Sequence, residues 1–333
     1  MLKETISIRA TFLIIYLMAT FGFRICKETL VDSCSISSIP IFNCIVTFLS
    51  WLISILLRKS IRLSTSPPVS FQSKLVTALI QSLNFLFITK SVSVNTFSFH
   101  RFAHSLSIPY GLLVSYFFLS RRFSAITLTS ISIFYFGSFI ISTDSFNMTP
   151  FGLCIGFLSS IFTTHLSIYI EEVIMNSGVS AIILQSSVSG LRFFFSILFL
   201  ILEFVIEQPQ FDLNLHISIY SICLIFAAAA FDLTITVSMI SLITYSSAIS
   251  FLVAEQLCEI LMILIGHTLN PTQFTTIQES ICSFFGFALA IPGQVLFVVA
   301  GDSFDWKPND FEPFHLSPIT KIDSQGDSVA LIE

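Results

Sequence analysis

The stretch that decides the fold is residues 96–122, which reads TFSFHRFAHSLSIPYGLLVSYFFLSRR. Between a polar start and a basic end it is long enough to cross a bilayer, which takes about 20 residues of helix. It nevertheless carries Arg101, and a guanidinium near the centre of a spanning helix costs roughly 3 kcal/mol. A sequence keeps such a charge where it faces protein or a wet cavity. We therefore expect this helix to face the interior of a helical bundle.

A polar face runs along this predicted helix. His100, His104, Ser107 and Gly111 lie on one narrow stripe at helical spacing, with Arg101 on its flank. Arg101 has two interpretations, a buried structural cation paired with an acid or a contact for an anionic ligand. Under both interpretations the stripe faces the interior of the bundle.

The composition is that of a polytopic membrane protein. The 333 residues are 54% hydrophobic and 11% charged, with 38 phenylalanines, whereas soluble domains carry about a quarter charged residues. This composition makes the lipid bilayer the expected surroundings. No basic surface in the sequence suggests a nucleic-acid partner. The seven cysteines show no CxxC or Cys/His spacing, and we predict neither a metal site nor a disulfide framework.

Hydropathy predicts an all-α membrane protein of about ten transmembrane helices. The loops between them are too short to fold independently, so function is expected inside the bundle. An acidic tail at 301–333 follows and is expected to be disordered. The predicted spans lie at 6–25, 36–57, 75–92, 95–119, 124–142, 150–171, 180–206, 217–239, 243–266 and 272–300.

The basic residues predict the topology. With ten spans both termini share one side, and ten of the fifteen lysines and arginines then fall on that side. The positive-inside rule makes it the cytosol. These ten bases are Lys3, Arg9, Arg58, Lys59, Arg62, Lys74, Arg121, Arg122, Lys307 and Lys321.

Charges at membrane depth predict pairing across the bundle. There are six such charges, and at about 3 kcal/mol each their gross insertion cost is roughly 18 kcal/mol. This cost is too large for six charges that all lack a partner of opposite sign. We expect salt bridges across a central cavity, and we pair Arg101 with Glu255 or Glu259. The six are Arg101, Arg192, Asp232, Glu255, Glu259 and Glu279.

Stripes along other spans indicate helix packing or polar seams. Small residues recur on one face of the sixth span, from Gly152 to Ser167, and of the tenth, from Ser283 to Gly293, which is typical of close helix approach. The seventh span has a polar stripe that indicates either a cavity or a polar seam and consists of Gln185, Ser189, Arg192 and Ser196.

Two halves of five spans, each with a charged fourth helix, suggest the inverted repeats of secondary transporters. Repeat one is predicted at about 6–142 and repeat two at about 150–300. The residues resemble the nucleotide-sugar transporter family of the drug/metabolite transporter superfamily, in its UDP-sugar branch. The matching segments are Phe97 with Arg101, Arg121-Arg122-Phe123-Ser124, Ser142-Thr143-Asp144, and Tyr245-Ser246-Ser247-Ala248-Ile249 followed by Ile260-Leu261 and Gly266.

This resemblance implies an antiporter, not an enzyme, with no cofactor. It would exchange a nucleotide sugar for a nucleoside monophosphate by alternating access. Arg101 would contact the phosphates, with His100 or His104 as donors and Tyr245 on the cavity wall.

The sequence also departs from the family pattern. The family's ninth-span lysine, which faces the substrate phosphates, is replaced by Cys258 between Glu255 and Glu259. The seventh-span tyrosine–asparagine pair that reads the base is replaced by Gln185-Ser186-Ser187, and Arg192 is a further candidate contact.

Two alternatives remain open. The same fold would carry a neutral or cationic metabolite if Glu255 and Glu259 bind protons, or the charges would be structural in a protein that transports nothing. The oligomeric state is open as well, with a homodimer among the alternatives.

The resemblance implies the Golgi membrane as the location. An acidic dileucine pattern at Asp327 and Leu331-Ile332 indicates the endosomal or lysosomal membrane as the alternative.

Overall fold

The computed structural model describes residues 2–34, 39–60, 69–95, 97–142, 149–207, 219–269 and 277–300. This part of the chain contains eleven α-helices and no strand. The predicted tail at 301–333, with its dileucine pattern, lies outside the described residues. The helices are α1 (Leu2–Cys34), α2 (Ile39–Ser60), α3 (Phe71–Val94), α4 (Phe97–Ser105), α5 (Ser107–Phe117), α6 (Ala125–Ser142), α7 (Pro150–Ser177), α8 (Ala181–Glu207), α9 (Ile219–Tyr245), α10 (Ala248–Leu269) and α11 (Ile277–Ala300).

Several of these helices have the length and the apolar composition to cross a membrane. Among the described residues six stretches meet both conditions, and two shorter apolar helices occur at Ala125–Ile141 and Phe284–Phe297. The described part of the protein is therefore all-α, and its long apolar helices fit the predicted membrane protein. The six stretches are Ser7–Lys27, Ile41–Lys59, Phe71–Val92, Pro150–Ser177, Ala181–Val205 and Ile219–Tyr245.

The predicted fourth span at 95–119 is two helices rather than one. It is interrupted at Leu106, between α4 and α5. The cause is Pro109, which has no N–H to give to the carbonyl of Ser105 and whose ring crowds that carbonyl. The sequence prediction of one continuous helix is wrong at this point.

The small-residue stripe predicted on the tenth span is a packing seam. A Cβ added at Gly137 of α6 would lie 2.4 Å from the backbone nitrogen of Ala290 and 2.7 Å from the carbonyl oxygen of Gly286, both on α11. The two backbones are therefore in direct contact. On the sixth span, now α7, a Cβ added at Gly156 would lie 2.7 Å from the side-chain methyl of Ala103 on α4, and the stripe is buried as predicted.

Helix α7 lies at the centre of the bundle. It contacts α3, α4, α5, α9 and α10, while α1 packs on α9, α2 on α8 and α9, and α6 on α11. The largest apolar core joins α7, α9 and α10 and includes Ile170, Ile240 and Leu252. This packing brings the broken pair α4–α5 and helix α10 together beside α7.

Candidate functional site

Hydroxyl groups of α7 bond to the backbone on both sides of the interruption between α4 and α5. The hydroxyl of Ser160 donates to the carbonyl oxygen of Ala103 in α4, and that of Thr164 donates to the carbonyl oxygen of Ser107 in α5 at 3.0 Å. These hydrogen bonds hold both parts of the interrupted helix against α7.

His104 lies on the last turn of α4, directly before the break, and its side chain is almost fully buried. Its Nδ1 lies 2.7 Å from Nε2 of Gln256 and 3.5 Å from Oε1 of Glu259, both on α10. On the opposite side, its Nε2 lies 3.3 Å from the hydroxyl of Thr163 on α7. That hydroxyl donates to Oδ1 of Asn84 on α3 at 2.8 Å. The imidazole therefore joins four helices in one polar network.

The hydrogen-bond donors and acceptors around His104 determine its tautomer. A hydroxyl has one proton, and Thr163 gives its proton to Asn84, so Thr163 accepts from His104. The Nε2 atom of His104 therefore carries hydrogen, and Nδ1 faces Gln256 and Glu259. This assignment follows from the network of heavy atoms.

Glu255 and Glu259, one turn apart on α10, face the same interior. The hydroxyl of Tyr16 on α1 donates to Oε1 of Glu255 at 3.3 Å, and the ring of Tyr16 packs edge-on against Phe251. The second carboxyl oxygen of each glutamate is buried and has no hydrogen-bond partner among the described residues. Between them lies the buried thiol of Cys258. Sequence analysis predicted these three α10 residues as a group, and the structure places Glu255 and Glu259 beside α1 and α4.

His100 has a different environment, one turn before His104. Its Nδ1 lies 2.9 Å from the hydroxyl of Ser91 on α3, and the amide of Asn95 donates both to Ser91 and to the carbonyl oxygen of Gly152 on α7. The rings of His100 and His104 are 5.8 Å apart. His100 therefore borders the network of His104 and ties α4 to α3.

Arg192 forms an ion pair away from the His104 network. Its guanidinium donates two hydrogen bonds to the carboxylate of Asp232 on α9, of 3.0 and 2.9 Å, and lies over the ring of Phe85. One turn earlier, Ser189 bonds to Ser54 of α2 at 3.0 Å. The two alternatives for this stripe were a cavity and a polar seam. The structure supports the polar seam, because the charge of Arg192 is neutralised by Asp232.

The other predicted site residues are Gln185, Tyr245 and Arg101. Gln185 is buried on α8, and its amide nitrogen has no hydrogen-bond partner among the described residues. Tyr245 ends α9, where its ring stacks on Phe12 and its carbonyl oxygen accepts from Nε of Arg9 at 2.6 Å. The backbone of Arg101 belongs to α4, but its side chain lies outside the described residues, and so does its predicted pairing with Glu255 or Glu259.

Sequence reasoning missed several members of the network. Gln256 had a usable signal, because it lies between two glutamates on a spanning helix. Thr163 belongs to the small-residue stripe that runs from Gly152 to Ser167, which the sequence analysis interpreted as packing, and its buried hydroxyl also takes part in the network. Tyr16 and Asn84 had no local signal, since their roles depend on helices distant in the chain. In the described part of the chain no group of three or more His, Cys, Asp or Glu is placed to hold a metal ion.

Comparisons with known proteins show a shared fold. No family model and no curated protein matches the chain. Solved structures do match, 28 chains in all. One, described as "Crystal structure of protein", is 12% identical with a TM-score of 0.55, and the match covers 87% of this chain and 99% of that chain. At this identity the likeness concerns the fold alone.

Proposed function

We propose that the chain is a ten-span membrane protein made of two inverted repeats, α1–α6 and α7–α11. The helix contacts support this arrangement when the helices are matched in order, with the pair α4–α5 matched to α10. In this matching, the contact between α1 and α9 corresponds to the contact between α7 and α3. The contact between α2 and α9 corresponds to the contact between α8 and α3. The contact of α4 with α6 corresponds to that of α10 with α11. The α2–α8 contact and the α6–α11 contact each join a helix to its own counterpart in the other repeat.

Contacts near the helix ends support the proposed crossing directions. Arg9, early in α1, bonds to the last residue of α9, and Lys90, late in α3, lies 3.6 Å from Glu203, late in α8. Arg121, after α5, bonds to Glu171 near the end of α7 at 3.0 Å. If α1 begins in the cytosol and the spans alternate, each pair has both members on one side. Both termini are then cytosolic.

The function we assign to this fold is secondary transport by alternating access. The observation that carries it is the broken helix α4–α5, which presents buried His104 to the carboxyl groups of α10. Interrupted helices that meet at a repeat interface are how many transporters build a central binding site. The matched helices also agree in register, since Phe97 to His104 and Ala248 to Glu255 are equally long segments. Each repeat thus sends a titratable side chain to the same interface.

The cargo that the sequence favours is a nucleotide sugar, such as a UDP-sugar, exchanged for a nucleoside monophosphate. This part rests on the resemblance to the nucleotide-sugar transporter family. In it, Arg101 binds the phosphates, His104 and Gln256 supply donors, and the membrane is that of the Golgi. A guanidinium suits a diphosphate, because its planar N–H groups match two phosphate oxygens.

A specific observation favours a second cargo class. Glu255 and Glu259 each have a buried carboxyl oxygen that lacks a hydrogen-bond partner among the described residues. Carboxylates attract cations and disfavour anions. A neutral or cationic metabolite is therefore the second candidate.

The two cargo classes are separated by exchange assays in proteoliposomes with a panel of nucleotide sugars and organic cations. Uptake of a nucleotide sugar that is accelerated by internal nucleoside monophosphate supports the first class. Uptake of cations without any nucleotide effect supports the second. Failure of every probe contradicts transport and leaves a structural membrane protein.

A pair of variants tests the role of Arg101. Arg101→Gln should abolish nucleotide-sugar uptake if the guanidinium binds phosphate. Arg58→Gln is the matched control, since Arg58 is an exposed residue in the last turn of α2, and it should transport normally. Size-exclusion profiles of both variants show whether a loss of uptake reflects misfolding. Wild-type uptake by Arg101→Gln contradicts the phosphate role.

A further inference from the structure

We propose that His104 and Glu259 hold one exchangeable proton between them, and that this proton is taken up and released in each transport cycle. The proposal rests on the proposed transport function and adds an ion to it. The geometry that carries it is the approach of Nδ1 of His104 to Oε1 of Glu259 across the α4–α10 interface, at 3.5 Å.

His104 and Glu259 present a lone pair and a carboxylate to the same interface. Since Nε2 of His104 carries hydrogen toward Thr163, Nδ1 of a neutral imidazole is an acceptor, which lies 2.7 Å from the Gln256 amide and 3.5 Å from Oε1 of Glu259. An ionised Glu259 places its negative charge beside this lone pair, and the two repel in a buried site. One proton on either group removes that repulsion. The closed interface is therefore stabilised by one bound proton.

Gln256 accommodates either protonation state. Its amide nitrogen lies 2.7 Å from Nδ1 of His104 and donates to it when Nδ1 is bare. Rotation of the amide by half a turn presents its oxygen instead, which accepts from Nδ1–H when the imidazole is protonated. One side chain thus satisfies Nδ1 of the imidazole in both states.

The surroundings of the pair contain other titratable groups. On α10 these are Glu255 and Cys258, on α1 it is Tyr16, and on α4 it is His100. The groups that α7 and α3 present to the imidazole are neutral, the hydroxyl of Thr163 and the amide of Asn84. Glu255 accepts a hydrogen bond from the hydroxyl of Tyr16, whereas Oε1 of Glu259 lies 3.5 Å from Nδ1 of His104, so we assign the shared proton to His104 and Glu259.

The sign of the coupling follows from the net charge of the pair. With the proton, His104 and Glu259 together are neutral, and without it they carry one negative charge. An anionic nucleotide sugar binds better beside the neutral pair, so its binding takes up a proton. The proton comes from water on the side to which the site is open, and it forms an N–H or O–H bond that breaks when the site opens to the other side. No other bond changes.

The test is uptake of UDP-glucuronic acid into proteoliposomes as a function of external pH, with a trapped pH dye to follow protons. Wild-type uptake at limiting substrate should rise as pH falls, by up to about tenfold per pH unit for one linked proton. Proton entry should accompany it. Glu259→Gln removes the carboxyl group of the pair and leaves His104 as its titratable member, so the pH profile of its uptake should differ from that of the wild type. His165→Gln, whose ring on α7 is exposed, should keep the wild-type profile.

Two results overturn the proposal. One is wild-type uptake that is flat with pH and moves no protons, which needs no variant to fold. The other is a Glu259→Gln protein with the pH profile of the wild type.

A substrate-free measurement keeps the proton pair testable if no nucleotide sugar is transported, an outcome that contradicts the proposed function alone. Infrared difference spectra of the purified protein between acidic and alkaline buffers report protonation of carboxyl groups. A carboxylic-acid band that is lost in Glu259→Gln and shifted in His104→Gln supports the pair. Identical spectra for the wild type and both variants overturn it.

Discussion

The Arg192 guanidinium and the Asp232 carboxylate face each other edge to edge between α8 and α9, joined by two hydrogen bonds of 3.0 and 2.9 Å. Both side chains are nearly inaccessible, with 5% and 8% exposed. The bidentate geometry gives each carboxylate oxygen its own N–H donor. This ion pair makes two of the six charges at membrane depth tolerable, because each is neutralised by the other.

Removal of one partner should be costly, because the remaining charge is stranded in an apolar interior. We expect Asp232→Asn and Arg192→Gln each to destabilise the protein by about 3–5 kcal/mol. Arg192→Met combined with Asp232→Leu should recover most of this loss, since an apolar pair has no charge to compensate. The measurement is thermal unfolding in detergent, followed by intrinsic fluorescence.

The matched control for this pair is Lys90 with Glu203, whose side chains are 30% and 23% exposed. Glu203→Gln should change stability by less than about 1 kcal/mol, because water and salt screen partly exposed charges. Equal losses for Asp232→Asn and Glu203→Gln would refute the argument from burial.

The break between α4 and α5 makes a second prediction. Pro109→Ala restores an N–H that can reach the carbonyl of Ser105, so α4 and α5 should merge into one helix. We expect the folded protein to be at least as stable as the wild type but to lose transport, because His104 is presented by the break.

Pro150→Ala is the control for that substitution. Pro150 is at the start of α7, where no intrahelical N–H is required, so both stability and uptake should be retained. Stability is read from thermal unfolding and transport from proteoliposome uptake. Full uptake by Pro109→Ala would show that the break has no role in transport.

The fold class was accessible from the sequence because it depends on local quantities. Apolar runs of sufficient length predict spanning helices, and small residues such as Gly286 and Gly293 at helical spacing predict a seam, which the structure confirms. The break at Leu106 also had a local cause in Pro109, and hydropathy missed it because an average over a window does not register one missing N–H.

The candidate site was only partly accessible, since it depends on which helices meet. The sequence placed His104 and Glu259 in the interior but did not pair them, because their partner choice is set by the packing of α4 and α10 on α7. Arg192 shows the reverse case. Its stripe predicted either a cavity or a seam, and the choice required the position of Asp232, on the next helix.

The seam between α6 and α11 makes a third prediction. Gly137→Ala would place a methyl group 2.4 Å from backbone of α11, and backbone cannot move aside cheaply. We expect a loss of about 2 kcal/mol or more from overpacking. Gly178→Ala is a useful contrast, because a Cβ there has open space and only the left-handed backbone, with φ of 61°, opposes it. Its expected cost is about 1 kcal/mol.

Thermal unfolding of the two alanine variants separates these causes. A second pair of variants, Gly137→Ser and Gly178→Asn, sharpens the result. Asparagine tolerates the left-handed region, so Gly178→Asn should be close to wild type, whereas Gly137→Ser should be no better than Gly137→Ala. Similar stability for Gly137→Ala and the wild type would mean that α6 and α11 are not in backbone contact.

The last prediction concerns which cation Glu259 and Glu255 meet. The structure joins Glu259 to His104, and sequence reasoning joins Arg101 to one of the two glutamates. Residues in contact show coupling energies of roughly 0.5–3 kcal/mol in double-mutant cycles, and distant residues add independently. We expect His104→Gln and Glu259→Gln to be non-additive in thermal stability, because each variant alone leaves the other partner in a buried site.

For Arg101→Gln we expect coupling to Glu255→Gln rather than to Glu259→Gln, since His104 already occupies the side of Glu259. Scoring uptake on the same variants separates folding from binding, because Glu255→Gln should rescue the stability of Arg101→Gln without restoring nucleotide-sugar uptake. Additive losses in both cycles would remove ion pairing from this site and leave the glutamates as direct contacts for a cationic cargo.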